Sequence, residues 1–146
     1  MTRSSLKPST SPGFLLWRIT LRWQRAIVAA LRPLGLTHVQ FVLLASVWWL
    51  TQVAGETPTQ RRLADHAGTN PMMTSQVLRT LAAKGLVKRS ASPDDSRAWW
   101  LSVTSKGAAV AQHAIAVVEV ADGKFFAAAG KRTALLRILH LLAAVP

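Results

Sequence analysis

Met72, Gln76 and Arg79 recur at i, i+4 and i+7, so on a helix they share one face. Thr69 and Ser75 flank them. The face offers a guanidinium, an amide, two short hydroxyls and a thioether. This set suits base edges in a DNA major groove. Arginine can take guanine O6 and N7 with two hydrogen bonds, glutamine can pair with adenine, and an apolar tip can touch the thymine methyl. No carboxylate lies on that face to repel phosphate. An ordinary solvated helix face is the competing reading, but such a face usually carries Glu or Asp somewhere.

Other chemistry finds no constellation. Asp65 and His66 are adjacent, so on a helix they point in different directions. His38, His113 and His140 are far apart and have no Glu or His partner at i+4. His113 and Glu119 are six apart, a poor match to one face. There is no Gly-rich phosphate loop and no GxSxG. The chain has no cysteine, which excludes disulfides, thiolate zinc sites, iron–sulfur clusters and thiol redox sensing. Neither an enzyme nor a cofactor or metal is expected.

The composition agrees with a polyanionic partner. The 146 residues carry 18 Lys+Arg against 6 Asp+Glu, a formal charge of +12. Half are hydrophobic, so a core is feasible without staples, and the length suits one domain or a domain with a helical annex. Charged residues make up only 16%, against roughly 25% in an average soluble protein. Part of the surface is therefore expected to be buried against another chain. The start, MTRSSLKPSTSPG, reads as a disordered basic arm over residues 1–13 and not as a signal peptide. The longest apolar run, Phe41–Leu50, is about half the length that spans a bilayer. A cytoplasmic protein without a membrane partner is expected.

The elements that must position the face follow from periodicity and punctuation. Phe14–Arg32 reads as a helix with Arg18, Arg22, Arg25 and Arg32 on one side and Leu16, Ile19, Trp23 and Ile27 on the other. Pro33-Leu34-Gly35 ends it. Thr37 and Gln40 form a capping-box pattern before a helix over about Val39–Thr51, apolar almost all round and so central. Thr59 caps a short helix, Gln60–Ala67, which Gly68 breaks. Asn70-Pro71 starts the next, which Gly85 stops after Lys84. Its inward side is Thr74, Val77, Leu78 and Leu81. Leu86–Ser90 and Ala98–Val103 read as strands of a hairpin around the polar turn 91–96. Thr104 caps a long helix to about Ala121, and a last helix covers about Lys131–Ala143.

Helix, Gly break, helix and hairpin is the winged helix-turn-helix order. The expected fold is mainly α with a small β-hairpin wing. Residues 37–103 form the DNA-binding domain, and residues 14–36 and 104–146 form a helical dimerisation region. Asn70 at the cap of the reading helix joins the candidate DNA-binding set. Lys88, Arg89 and Arg97 sit on or beside the hairpin. Arg97, at the wing tip, can enter a minor groove, where negative potential is focused. Asp95 either holds its guanidinium or shapes the loop; a surface ion pair of little energetic worth is the plainer alternative.

On these residues the chain resembles the MarR family of transcriptional regulators. The likeness lies in Leu63-Ala64, Leu81, Lys84-Gly85-Leu86-Val87, Arg89, Asp95-Ser96-Arg97-Ala98, and Leu101 through Thr104 to Gly107. Upstream, Leu34-Gly35-Leu36-Thr37 with Gln40-Phe41 and Leu44 is also similar. Val103, where the family usually has leucine, and the Trp99-Trp100 pair depart from the pattern. Because strand side chains alternate, one of these tryptophans must face outward or meet a neighbouring element.

The resemblance implies a two-fold homodimer whose terminal helices interlock and whose winged domains straddle a palindromic duplex. Trp17, Trp23, Leu135, Leu136 and Leu139 make those helices too apolar to stand alone in water; closing the monomer's own core is the alternative. The resemblance also implies a response to a small aromatic effector. Trp17, His38, Trp48 and Trp49 are its candidate ligands, against a plain core role for the tryptophans. The expected function is a sequence-specific regulator, a repressor in sign; the alternative is a non-specific architectural DNA-binding protein.

Overall fold

The computed structural model describes residues 7–95 and 97–146. Six helices and one hairpin follow in the order α1 (Pro12–Leu31), α2 (His38–Trp48), α3 (Gln60–Ala67), α4 (Pro71–Ala83), β1 (Val87–Ala91), β2 (Trp99–Val103), α5 (Ser105–Phe126) and α6 (Arg132–Ala143). They divide into two compact units. One holds Leu31–Val117; the other holds the chain up to Ala30 together with Val118–Pro146. Of the arm expected over residues 1–13, residues 1–6 lie outside the described residues. In the rest, Pro8–Thr10 form a 3₁₀ turn and α1 begins at Pro12.

The larger unit is built around α2. Leu43, Leu44 and Val47 are fully buried there against α3, α4 and β2. Leu63, Leu78, Leu81 and Leu101 complete the core from those elements. Burying one such leucine contributes roughly 1.5–3 kcal/mol. The capping box is present: Gln40 N–H donates to Thr37 Oγ1, and Thr37 N–H donates to Gln40 Oε1, both at 3.2 Å. The α2 helix does not run unchanged to Thr51. After Trp48 it widens into a π turn over Trp49–Val53, and Thr51 Oγ1 donates back to the Val47 carbonyl at 2.7 Å.

The helix-to-wing junction explains why β1 starts one residue later than the expected Leu86. Gly85, at φ +72°, donates to the Ala82 carbonyl, and Leu86 N–H donates to the Leu81 carbonyl. That is a Schellman stop, and it takes Leu86 as its apolar closing residue. The hairpin then pairs Val87 with Val103 through Ala91 with Trp99 in antiparallel register. Its other edge is held as well: Leu101 N–H donates to the Pro58 carbonyl, and Thr59 bridges Trp100. The wing is thereby fastened to the residues that open α3. Thr104 Oγ1 accepts from Gly107 N–H and donates to the Gly85 carbonyl, which fixes the start of α5. Gly107 packs so closely that a Cβ would overlap the Leu86 carbonyl oxygen.

In the smaller unit the buried side chains are Ile27 and Val118. The α5 helix runs past the expected Ala121 to Phe126, and Asp122 accepts the indole N–H of Trp23 at 2.8 Å. Leu136, Ile138, Leu139, Leu141 and Leu142 of α6 are all exposed, as are Leu16, Trp17 and Ile19 of α1. Ile27 of α1 is fully buried, whereas these other apolar side chains of α1 and α6 are exposed within this chain.

Candidate nucleic-acid interface

The α4 helix presents the face that its spacing predicts. Thr74, Leu78 and Leu81 are buried and Val77 is half-buried. Met72, Gln76 and Arg79 are exposed, Met72 at 73%. Arg79 reaches back to the Ser75 carbonyl only at 3.5 Å through Nε, which leaves its terminal nitrogens for a partner. Asn70 Oδ1 accepts the Met73 N–H at 2.8 Å, so the amide NH₂ is what Asn70 has to offer outward. No Asp or Glu occurs in α4.

Thr69, one of the expected set, also has a partner inside the domain. Thr74 Oγ1 donates to the Asn70 carbonyl at 2.8 Å, so at its 2.7 Å contact with Thr69 it must accept. The Thr69 hydroxyl is thereby engaged at the α3–α4 turn. Ser75 is half-buried on the flank of the ridge.

At the wing tip, the Asp95 carboxylate accepts the backbone N–H of Arg97 at 2.9 Å. Of the two roles expected for Asp95, shaping the loop is the one observed. Ala98 N–H closes the same turn on the Asp95 carbonyl, and Ser92 N–H donates to the Ala98 carbonyl. Asp95 and Arg97 are both exposed; Ser96 lies outside the described residues. The more exposed tryptophan is Trp99, which shares its strand face with buried Leu101. The Arg89 guanidinium lies 4.8 Å from its ring centroid, and Arg89 Nε is buried without a hydrogen-bond partner. This cation–π contact is diagonal across the hairpin and draws Arg89 onto the wing instead of out toward a phosphate. Lys88 is exposed on the opposite strand face.

Sequence reasoning missed the cleft between α3, the start of α4 and the wing. It has a volume of about 690 Å³ and is lined by Arg61, Asp65, Pro71, Asp95, Arg97 and Trp99 among others. Buried Gln60 Oε1, without a partner, belongs to one of its lining residues. Only the tryptophan pair of the hairpin pointed to it. Lys84, part of the stop pattern, is structural: its Nζ donates to the Gly35 carbonyl at 2.7 Å and to Gln40 Oε1 at 3.1 Å.

The candidate effector residues are distributed otherwise. Trp17 is exposed in the smaller unit. His38 and Trp48 are half-buried on α2. Trp49, at the π turn, stacks on His66 of α3 with ring centroids 5.5 Å apart and planes 13° off parallel. None of the four lines the cleft beside the wing.

A two-helix turn with an acid-free second helix and a fastened hairpin is the winged helix-turn-helix arrangement. The sequence pattern of the MarR family matches residues 36–99. Over 125 residues the chain is 50% identical to the HTH-type transcriptional regulator YdcH of Bacillus subtilis (strain 168), covering 86% of this chain and 84% of that one. The chain belongs to the MarR family. As a MarR-family protein it is a transcriptional regulator. It is also 38% identical over 115 residues to the HTH-type transcriptional repressor Rv2887 of Mycobacterium tuberculosis, covering 79% of each. The crystal structure of Rv2887 with p-aminosalicylic acid superimposes with a TM-score of 0.69 at 35% identity, over 92% of this chain and 99% of that one. Rv2887 in complex with DNA gives 0.71 at 33% identity, over 92% and 98%. This MarR-family chain has the mainly helical, single-hairpin fold expected of it. No single helix among the described residues is long and apolar enough to cross a membrane.

Proposed function

We propose that the chain is a sequence-specific repressor that binds a palindromic operator as a homodimer and is released by a small aromatic ligand. The observation that carries the DNA part is the exposed ridge Met72–Gln76–Arg79 on a helix with no acidic residue. The dimer rests on the exposed apolar faces of α1 and α6, which this chain alone leaves in water. Residues 14–36 and 104–146 would pair the two copies, and residues 37–103 would bind DNA. Two-fold pairing sets the reading helices about one DNA turn, roughly 34 Å, apart. The repressor sign and the aromatic effector are carried over from Rv2887, a named repressor with p-aminosalicylic acid and salicylic acid complexes. Trp17, His38, Trp48 and Trp49 are the residues to substitute singly in testing effector release.

Selection of bound duplexes from a random pool tests the proposal. A palindrome bound ~10³-fold or more above random duplex is expected. Enrichment of no sequence would make the +12 chain a non-specific DNA coater instead.

A further inference from the structure

The chain holds three methionines: the initiator, Met72 and Met73. The latter two fall in the first turn of α4, 73% and 42% exposed. They stand on the segment of a reading helix that approaches base edges. Elsewhere in this fold the large apolar side chains of α4 point into the core, so two adjacent thioethers in solvent are not packing residues. The chain also has no cysteine to intercept an oxidant first.

We infer that Met72 and Met73 form a reversible oxidation site that controls DNA binding, with a hypohalous acid as the co-reactant. This inference rests on the DNA-reading assignment of α4. The sulfur lone pair attacks the chlorine of hypochlorous acid and expels hydroxide. Water adds to the resulting chlorosulfonium sulfur, and chloride and two protons leave, one of which neutralises the expelled hydroxide. The sulfur loses two electrons, the chlorine gains them, and a sulfoxide oxygen remains. Methionine sulfoxide reductases reverse the step with thiol reductant.

The product suits the function of a switch. A thioether tip can lie against a thymine methyl. A sulfoxide is polar and carries an acceptor oxygen, so its tip no longer matches a thymine methyl and must be desolvated to lie against one. The buried face of α4, Thr74, Leu78 and Leu81, is not touched, so the helix stays docked while its reading surface changes. Bound DNA would in turn shield both sulfurs.

The test uses the full chain and a fluorescein-labelled duplex selected from a random pool by the unoxidised protein. Hypochlorite is titrated in, peptide mass mapping follows oxygen addition at each methionine and tryptophan, and anisotropy gives affinity. At full oxidation of Met72 and Met73, affinity is expected to fall about ten-fold or more, and reductases should restore it. The Met72→Leu/Met73→Leu double variant, close to volume-conserving, is compared with its own affinity before hypochlorite, and it should lose none of that affinity on treatment. Unchanged affinity with both sulfoxides formed overturns the inference, and so does an equal loss in the double variant. Failure of the unoxidised chain to select any duplex overturns the DNA-reading assignment instead.

Discussion

The hydroxyl of Thr69 donates to that of buried Thr74, whose own proton goes to the Asn70 carbonyl. This chain of two bonds locks the turn between α3 and α4 and so sets the angle at which the reading ridge leaves the domain. Thr74→Val keeps the shape, and the Asn70 carbonyl keeps the backbone N–H of residue 74, but the Thr69 hydroxyl is left without its partner. It should cost about 1–3 kcal/mol in chemical denaturation. Thr74→Ser, which retains the hydroxyl, should cost less; equal losses would mean that packing, not hydrogen bonding, holds the turn.

Asp95 gives a prediction whose sign separates two mechanisms. If its role is to accept the Arg97 N–H, Asp95→Asn keeps an acceptor, sheds a negative charge, and should bind DNA at least as well as the parent. Asp95→Ala also sheds the charge but loses the turn, and should bind more weakly. Tighter binding by both variants would reduce Asp95 to a repelling charge.

Arg97 is the exposed cation of that turn. Arg97→Ala should weaken binding to matched and scrambled duplexes alike. It should also lower the slope of log affinity against log salt by about one per contact removed. An unchanged slope would place Arg97 away from phosphate.

Gly107 tests how the wing and α5 are joined. Its Cβ in Gly107→Ala would meet backbone, the Leu86 carbonyl, which cannot swing aside like a side-chain tip. Overpacking of this kind costs typically 1–3 kcal/mol. A thermal or chemical melt that shows no loss would mean that α5 can shift without cost to the junction.

Much of the fold was legible because its boundaries are local hydrogen bonds. Thr37, Thr59, Asn70 and Thr104 cap helices through their own side chains, and Gly85 supplies the left-handed turn that few other residues tolerate. The ridge was legible for the same reason, since helical spacing alone sorts Met72, Gln76 and Arg79 from Thr74, Leu78 and Leu81. What escaped depends on contacts across the chain. No local signal marks the π turn at Trp49, whose ring stacks on His66 of a different helix. The extension of α5 past Ala121 carries Asp122 to Trp23, 99 residues away. The seat of Arg89 over Trp99 depends on the hairpin register, which sets the two diagonally across the strands. The contact of the Thr69 hydroxyl with Thr74, across the turn, is likewise not marked by helical spacing.

The most direct measurement on the central claim compares Arg79→Ala with the parent on two duplexes, one selected from a random pool and one scrambled. Arg79 is exposed on the ridge with its terminal nitrogens unengaged. The substitution should cost about 1–3 kcal/mol on the selected duplex, relax preference at one base position, and change scrambled binding far less. Equal losses on both duplexes would contradict base reading by α4 and leave only a charge contact.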